Sequence, residues 1–325
     1  MRLHPLLILA TFIASFVQLH TADAQCECGY QDELGRIWQE ALVLSSFANY
    51  TFNSTSDLRI TENQLPNDSG INGVAAPYQI QNTKDNVMIQ GRDLAIRVQS
   101  AVQKPYILGG EVTTMRNDIL YGSFRSTLKT TSVLGTCAGF FHYGNRTNEV
   151  DIEILSVQAA DRKVNFVQHE MILLPDNTPS PLSIQTPDVG VNPSADYNEY
   201  RFDWTPTSSD FFVNGNYILS LTANEPSKEG IVIWNHWSKG LQGWDQGPPL
   251  NDSYLLVRSF KLFFNTSDAT GFNRRCNAAR NSTNTTATAR SVCSVAGITG
   301  DITSANSASG VENKKAQQNA SDNSK

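Results

Sequence analysis

The stretch Asn148-Glu149-Val150-Asp151-Ile152-Glu153-Ile154-Leu155-Ser156 decides how the chain is read. Acidic and β-branched residues alternate in it with period two. As a strand it therefore presents Glu149, Asp151 and Glu153 on one side and Val150, Ile152 and Ile154 on the other. The apolar side demands a core. The acidic side needs another explanation, because three like charges in a row repel one another and a half-buried strand ordinarily turns neutral or mixed polar residues outward. Carboxyl groups crowded in this way cannot all ionise, so at least one keeps its proton near neutral pH. One protonated and one ionised carboxyl, acting as general acid and nucleophile, are what cleavage of a glycosidic bond requires.

Outward from this stretch, strand patterns dominate from about Tyr50 onward. Residues 93–99 alternate cleanly, as does the second half of 253–264. Residues 211–219 read as a hairpin whose Asn214-Gly215 supplies the two positive-φ turn positions. Only Gln31 to Phe47 has helix-like spacing, through Leu34, Ile37, Trp38, Ala41, Leu42 and Leu44. No internal repeat is present. Many short strands separated by turn signals predict an all-β fold, a two-sheet antiparallel sandwich or jelly roll with a concave cleft.

The Glu-aliphatic-Asp-aliphatic-Glu motif in a β-rich chain resembles the signature of glycoside hydrolase family 16, the concanavalin-A-like glucanases and transglycosylases, in its secreted fungal type. The resemblance runs from about Asn49 to Asn265. It implies Glu149 as nucleophile, Glu153 as acid/base and Asp151 as the group that holds and tunes them. The spacing is similar to the unbulged form of lichenases, xyloglucan transglycosylases and fungal wall transglycosylases. The activity implied is that of a retaining endo-β-glucanase acting on 1,3- or 1,3/1,4-linked glucan. A wall transglycosylase using the same covalent intermediate, or a lectin-like sandwich that only binds glycan, are the alternatives.

A sugar groove needs aromatic faces for C–H surfaces and amides or hydroxyls for the OH groups. In the stretch Ile231 to Gly240, Asn235 and Trp237 share one strand face while Trp234 and His236 share the other; Trp244 follows in a loop. This resembles the family's Asn-X-Trp strand and favours Asn235, Trp237 and Trp244 as ligand contacts, with Trp234 in the core. Residues 137–144 are expected to pair with the acidic strand through a turn at Asn145, which offers Phe141 or Tyr143 as a sugar platform and leaves His142 structural. Residues 163–170 resemble the next strand, which presents an amide toward the acids. Asn165 and Gln168 lie on opposite faces of it, and Gln168 is favoured; Glu170 is read as solvated. Residues 121–129 resemble the family's Tyr-Gly strand, with Arg125 and Thr127 where lichenases carry Glu and Arg. Trp204 is assigned to the core.

At 325 residues and 40% apolar content, the chain can hold one large β domain or two smaller ones. A net charge of −6 with 17% charged residues argues against nucleic acid and anionic membrane as partners and suits a neutral polysaccharide. Met1 to Ala24 reads as a signal peptide with an apolar run too short to span a membrane and cleavage before Gln25. Sequons at Asn49, Asn53, Asn67, Asn145, Asn251, Asn265, Asn281, Asn284 and Asn319 fit the same secreted, extracellular or cell-wall destination, with Asn145 too near the cleft to carry a glycan. Of the five cysteines, Cys26 and Cys28 are badly placed to bond each other, so each is expected to reach a distant partner. Cys137 is one candidate, and the odd count leaves one thiol over. His142, His169 and His236 are scattered without paired ligand spacing, so neither a zinc site nor a cofactor is expected; structural calcium suits the fold class, yet no ligand motif names its place. The expected layout is a signal peptide at 1–24, a catalytic domain at 25–275 and an Asn/Ser/Thr-rich disordered tail at 276–325. The polar end of that tail is unlike a lipid-anchor signal, so a released monomer is expected.

Overall fold

The alternating stretches become strands of two large, mainly antiparallel sheets in the computed structural model, which describes residues 26–65, 75–281 and 292–303. The signal peptide expected at 1–24 and most of the polar tail, residues 282–291 and 304–325, lie outside the described residues. One sheet runs in the order Ile184–Gln185, Asn165–His169, Asn148–Leu155, Cys137–Asn145, Ile231–Trp237, Tyr106–Thr114, Gln79–Asn82 and Asn63–Leu65, with Leu58–Ile60 also paired to Tyr106–Thr114. The other runs Asn216–Leu221, Ser209–Val213, Asn198–Trp204, Ile119–Lys129, Ser253–Thr266, Asp93–Val98 and Val87–Gln90, with Glu40–Leu44 beside Ser253–Thr266. Alternate residues of both sheets meet in one core: Phe140, Val150, Ile152, Phe166 and Trp234 from the first, Phe124, Phe202, Phe211, Phe260 and Leu262 from the second. This is the predicted β-sandwich. The predicted hairpin is also present, with Asn214 at φ 50° and Gly215 at φ 77° between Ser209–Val213 and Asn216–Leu221.

The helix read at Gln31 to Phe47 is not formed; short strands occupy Tyr30–Gln31, Ile37–Trp38 and Glu40–Leu44. The cause is burial on both faces. Leu42 and Leu44 enter the main core, while Ala41 and Val43 join a second cluster with Tyr30, Trp38, Phe263 and Val295 outside the second sheet. A strand covered on both sides is apolar at every position, so it loses its period of two and imitates a helical stripe.

The boundary expected at 276 falls inside a helix, Thr270–Arg280. Cys276 on that helix is bonded to Cys28, and Cys293 beyond it is bonded to Cys26. Cys293–Ser294 then pairs with Tyr30–Gln31, and Ile302 bridges to Val43. Arg275 adds an ion pair with Glu40 at 2.6 Å. The helix escaped sequence reading because it carries almost no apolar stripe and is held by covalent and ionic ties instead. Cys137, a candidate partner for Cys26 or Cys28, is the thiol left over, fully buried. Replacing Cys28 and Cys276 together by serine is expected to lower unfolding stability by about 2–5 kcal/mol, read as an earlier midpoint in denaturant titration.

Candidate active site

Residues directly opposite one another on antiparallel strands share a face, so register alone assembles the acidic side of the first sheet. Glu149 stands between His169 and Tyr143, Asp151 between Val167 and Phe141, and Glu153 between Asn165 and Gly139. The last row continues through Asn235 to Glu111, and Tyr143 and Phe141 continue to Ile231 and Ile233. Pairing of the acidic strand with Cys137–Asn145 is regular from Cys137↔Leu155 to Tyr143↔Glu149 and shifts only at the Asn145 turn, as the unbulged motif requires. The opposite faces of these strands fill the core. Trp234 is fully buried and donates to Ser126 Oγ, Trp204 is likewise buried, and His142 bonds the Ile119 carbonyl oxygen.

The predicted contacts Phe141, Tyr143, Asn235 and Trp237 therefore all lie on the acids' face. Tyr143 is 37% exposed, Trp237 is half-buried, and Trp244 follows, half-buried, in the loop that leaves the Trp237 strand. Gly139 keeps the floor low: a Cβ there would stand 2.5 Å from Asn235 Oδ1. Beneath Glu153, Cys137 Sγ lies 3.5 Å from its Oε1. Asn165 Nδ2 donates to the Glu153 backbone carbonyl at 3.1 Å and to Gln158 Oε1 at 3.0 Å.

Burial is the main force on the three carboxyls. It pushes Glu149 up from 4.5 to about 7, helped by the charge of Glu153 and opposed by a hydrogen bond with Asp151. Asp151 is driven well above the usual aspartate range by burial and then by the charges of Glu149 and Glu153. Glu153 rises to about 7 through burial, while the Cys137 thiol and the Lys239 charge pull it down and Asp245 pushes it up. At neutral pH the set holds protons that the unfolded chain has released. Its contribution to stability is thus complete below about pH 4.5 and is lost as pH rises through about 7. A Glu149→Gln chain is accordingly expected to be more stable than wild type at pH 8, by on the order of 1–3 kcal/mol, with the gap closing toward pH 4. Melting curves of both chains across pH 4–8 measure this.

Gln168, favoured as the amide facing the acids, points the other way. It pairs in register with the core residue Val150, is fully buried, and donates to the Ala223 carbonyl oxygen. Asn165 is the amide on the acids' face, since period two along the strand puts these residues on opposite sides. Arg125 and Thr127 lie in the second sheet, where Arg125 reaches Glu33 at 3.1 Å, so they do not stand in for groove residues. Glu170 is exposed as expected. Two residues on the acids' face are not among the predicted contacts, His169 having been weighed only as a zinc ligand. His169 has Nε2 3.6 Å from Asp151 Oδ2, and burial followed by the Arg146 charge keeps its pKa low. Glu111 is buried, stands opposite Asn235, and receives Asn63 Nδ2 and Asn82 Nδ2 at 3.4 Å each, with its pKa raised mainly by burial. A lone carboxylate inside the otherwise uncharged stretch 106–114 was the available signal for it.

Glu149, Asp151 and His169 bring one donor atom each within 4.8 Å of one another, close enough for a cation to bridge. Crowding of this kind is also what two carboxyls sharing a proton require, and no step below uses a metal.

Residues 74–242, just over half of the chain, match the family model described as glycosyl hydrolases family 16. A beta-glucanase of Acetivibrio thermocellus is 27% identical over 150 residues, covering 43% of this chain and 42% of that protein. A beta-glucanase of Brevibacillus brevis is 28% identical over 181 residues, covering 51% and 62%. The chain thus spans about half the length of the curated relatives it matches, and those relatives are bacterial; nothing in them supports the fungal type expected above. Among solved structures, a prokaryotic beta-1,3-1,4-glucanase (lichenase) from a mouse hindgut metagenome superposes with a TM-score of 0.54 at 18% identity, over 69% of this chain and 98% of that one. The laminarinase catalytic domain of Thermotoga maritima gives 0.54 at 15% identity, over 70% and 98%. At such identities the likeness is one of fold.

Proposed function

The chain belongs to glycosyl hydrolase family 16, and from that premise we propose that it is a secreted endo-β-glucanase cleaving 1,3- or mixed 1,3/1,4-linked glucan with retention of configuration. The observation that carries this reading is the row of three carboxyls on one sheet face, all pushed toward neutral or higher pKa, beside aromatic and amide residues on the neighbouring strands. The glucanase relatives agree with a β-glucan substrate.

In the first step the Glu149 carboxylate bonds to the anomeric carbon as the glycosidic C–O bond breaks. Glu153 passes its proton to the departing sugar oxygen. Asp151, hydrogen-bonded to Glu149, holds the nucleophile in its rotamer and shares its charge. In the second step water attacks the same carbon, Glu153 takes the water's proton, and the ester to Glu149 breaks. Two inversions restore the starting configuration. Phe141, Tyr143, Trp237 and Trp244 supply ring faces, and Asn235 supplies an amide for sugar hydroxyls.

Incubation with laminarin, barley glucan, lichenan and xyloglucan tests the proposal. New reducing ends should appear on the first three, and NMR should show the β anomer released first. No turnover on any of them, or α anomer first, overturns it. Trp237→Ala should raise KM on the preferred glucan about tenfold, read from initial rates.

A further inference from the structure

Asp245 is completely buried, and apart from its charge, which helps raise the Glu153 pKa, no step above uses it. Its carboxylate gathers five donors. Oδ2 accepts from Ser238 Oγ at 2.9 Å, Lys239 N at 3.0 Å, Gly240 N at 2.8 Å and Gly247 N at 3.2 Å; Oδ1 accepts from Leu241 N at 3.0 Å. Successive backbone N–H groups turned inward form a concavity that ordinarily suits an external anion. Here the chain's own side chain fills it. The loop needs left-handed backbone at Gly240, Gly243 and Gln246 to aim these amides. Trp244 N and Gln246 N close the knot on the Leu241 carbonyl oxygen, and Tyr78 N binds the Lys239 carbonyl oxygen from outside.

Trp244 precedes Asp245 in this loop and stays half-buried while the carboxylate is fully buried. We propose that Asp245 is a positioning residue: it ties residues 238–247 into a rigid wall that holds Trp244 against the glucan chain. This rests on the reading of the protein as a glucanase. The neutral amide of Asp245→Asn has one acceptor oxygen and would turn N–H groups toward donors that need acceptors, so the knot cannot persist unchanged.

A double-mutant cycle on laminarin and barley glucan tests this. At a pH well below the alkaline limb, where Glu153 keeps its proton with or without the Asp245 charge, Asp245→Asn and Trp244→Ala should each raise KM about tenfold with kcat changed far less, and the double variant should be no worse than Trp244→Ala alone. Losses that multiply in the double variant, or an Asp245→Asn chain with wild-type KM, overturn the proposal. Ser238→Ala, which removes one donor, covers the case in which Asp245→Asn fails to fold: it should raise KM in wild type and not in a Trp244→Ala background, and a rise in both is contrary. Hydrogen exchange at the amides of 239, 240, 241 and 247 gives a readout independent of turnover. These amides should exchange slowly in wild type and fast in Asp245→Asn, and unchanged exchange defeats the proposal. If wild type turns over no glucan while this exchange contrast holds, the glucanase reading fails and the knot stands.

Discussion

Glu149→Ala lowers kcat on β-glucan by about 10,000-fold or more, while the variant melts no earlier than wild type at neutral pH. Stability is spared because the substitution removes a carboxyl that burial already disfavours in its charged form. Activity is not spared, because without the carboxylate no covalent intermediate forms. Glu153→Ala should cost less on substrates with good leaving groups, since only proton transfer is lost. Added azide separates the two roles. It can displace the leaving group directly in Glu149→Ala, a single inversion giving the α-glycosyl azide. In Glu153→Ala it attacks the glycosyl-enzyme, a second inversion giving the β-azide. Swapped products would reverse the assignment of the two glutamates; wild-type rates in Glu149→Ala would remove the mechanism altogether.

Above about pH 7, kcat/KM on laminarin falls about tenfold per pH unit, so that at pH 9 it stands roughly a hundredfold below its plateau. The productive free enzyme carries a proton on Glu153 and a charge on Glu149. Burial raises the Glu153 pKa to about 7, so raising the pH beyond that removes the acid proton before the leaving group can take it. The three carboxyls exchange protons as one set, and the profile reports the set rather than either glutamate alone. Glu153→Gln, which cannot titrate, should lose the alkaline limb. A wild-type profile flat to pH 9 would show that Glu153 is not the acid.

The fold was legible wherever a strand is half-exposed, because period two survives there. The acidic strand and the Asn214-Gly215 hairpin are the clear cases, and the pairing of Cys137–Asn145 with the acids followed from one turn. Glu40–Leu44 was misread because both of its faces are covered. The helix at Thr270–Arg280 and the return of residues 292–303 were hidden because disulfides hold them, and connectivity is not written in spacing. Within the site, alternation showed which residues of the acidic strand and of the Asn235–Trp237 stretch share a face, while the family resemblance supplied their roles as catalytic groups and ligand contacts. Choosing between Asn165 and Gln168 needed the cross-strand register, which one sequence does not contain. His169 and Glu111 were missed for the same reason: each becomes part of the site only through the strand it lies beside.

The two disulfides span 267 and 248 residues of sequence. In sequence, Cys26 and Cys28 lie nearer to Cys137 than to their partners Cys293 and Cys276. Cys137 is shielded only when residues 231–237 arrive to complete the sheet around it. The shorter loop thus makes Cys137 the competitor for premature oxidation, and a serine there should raise the yield of correctly bonded protein during oxidative refolding.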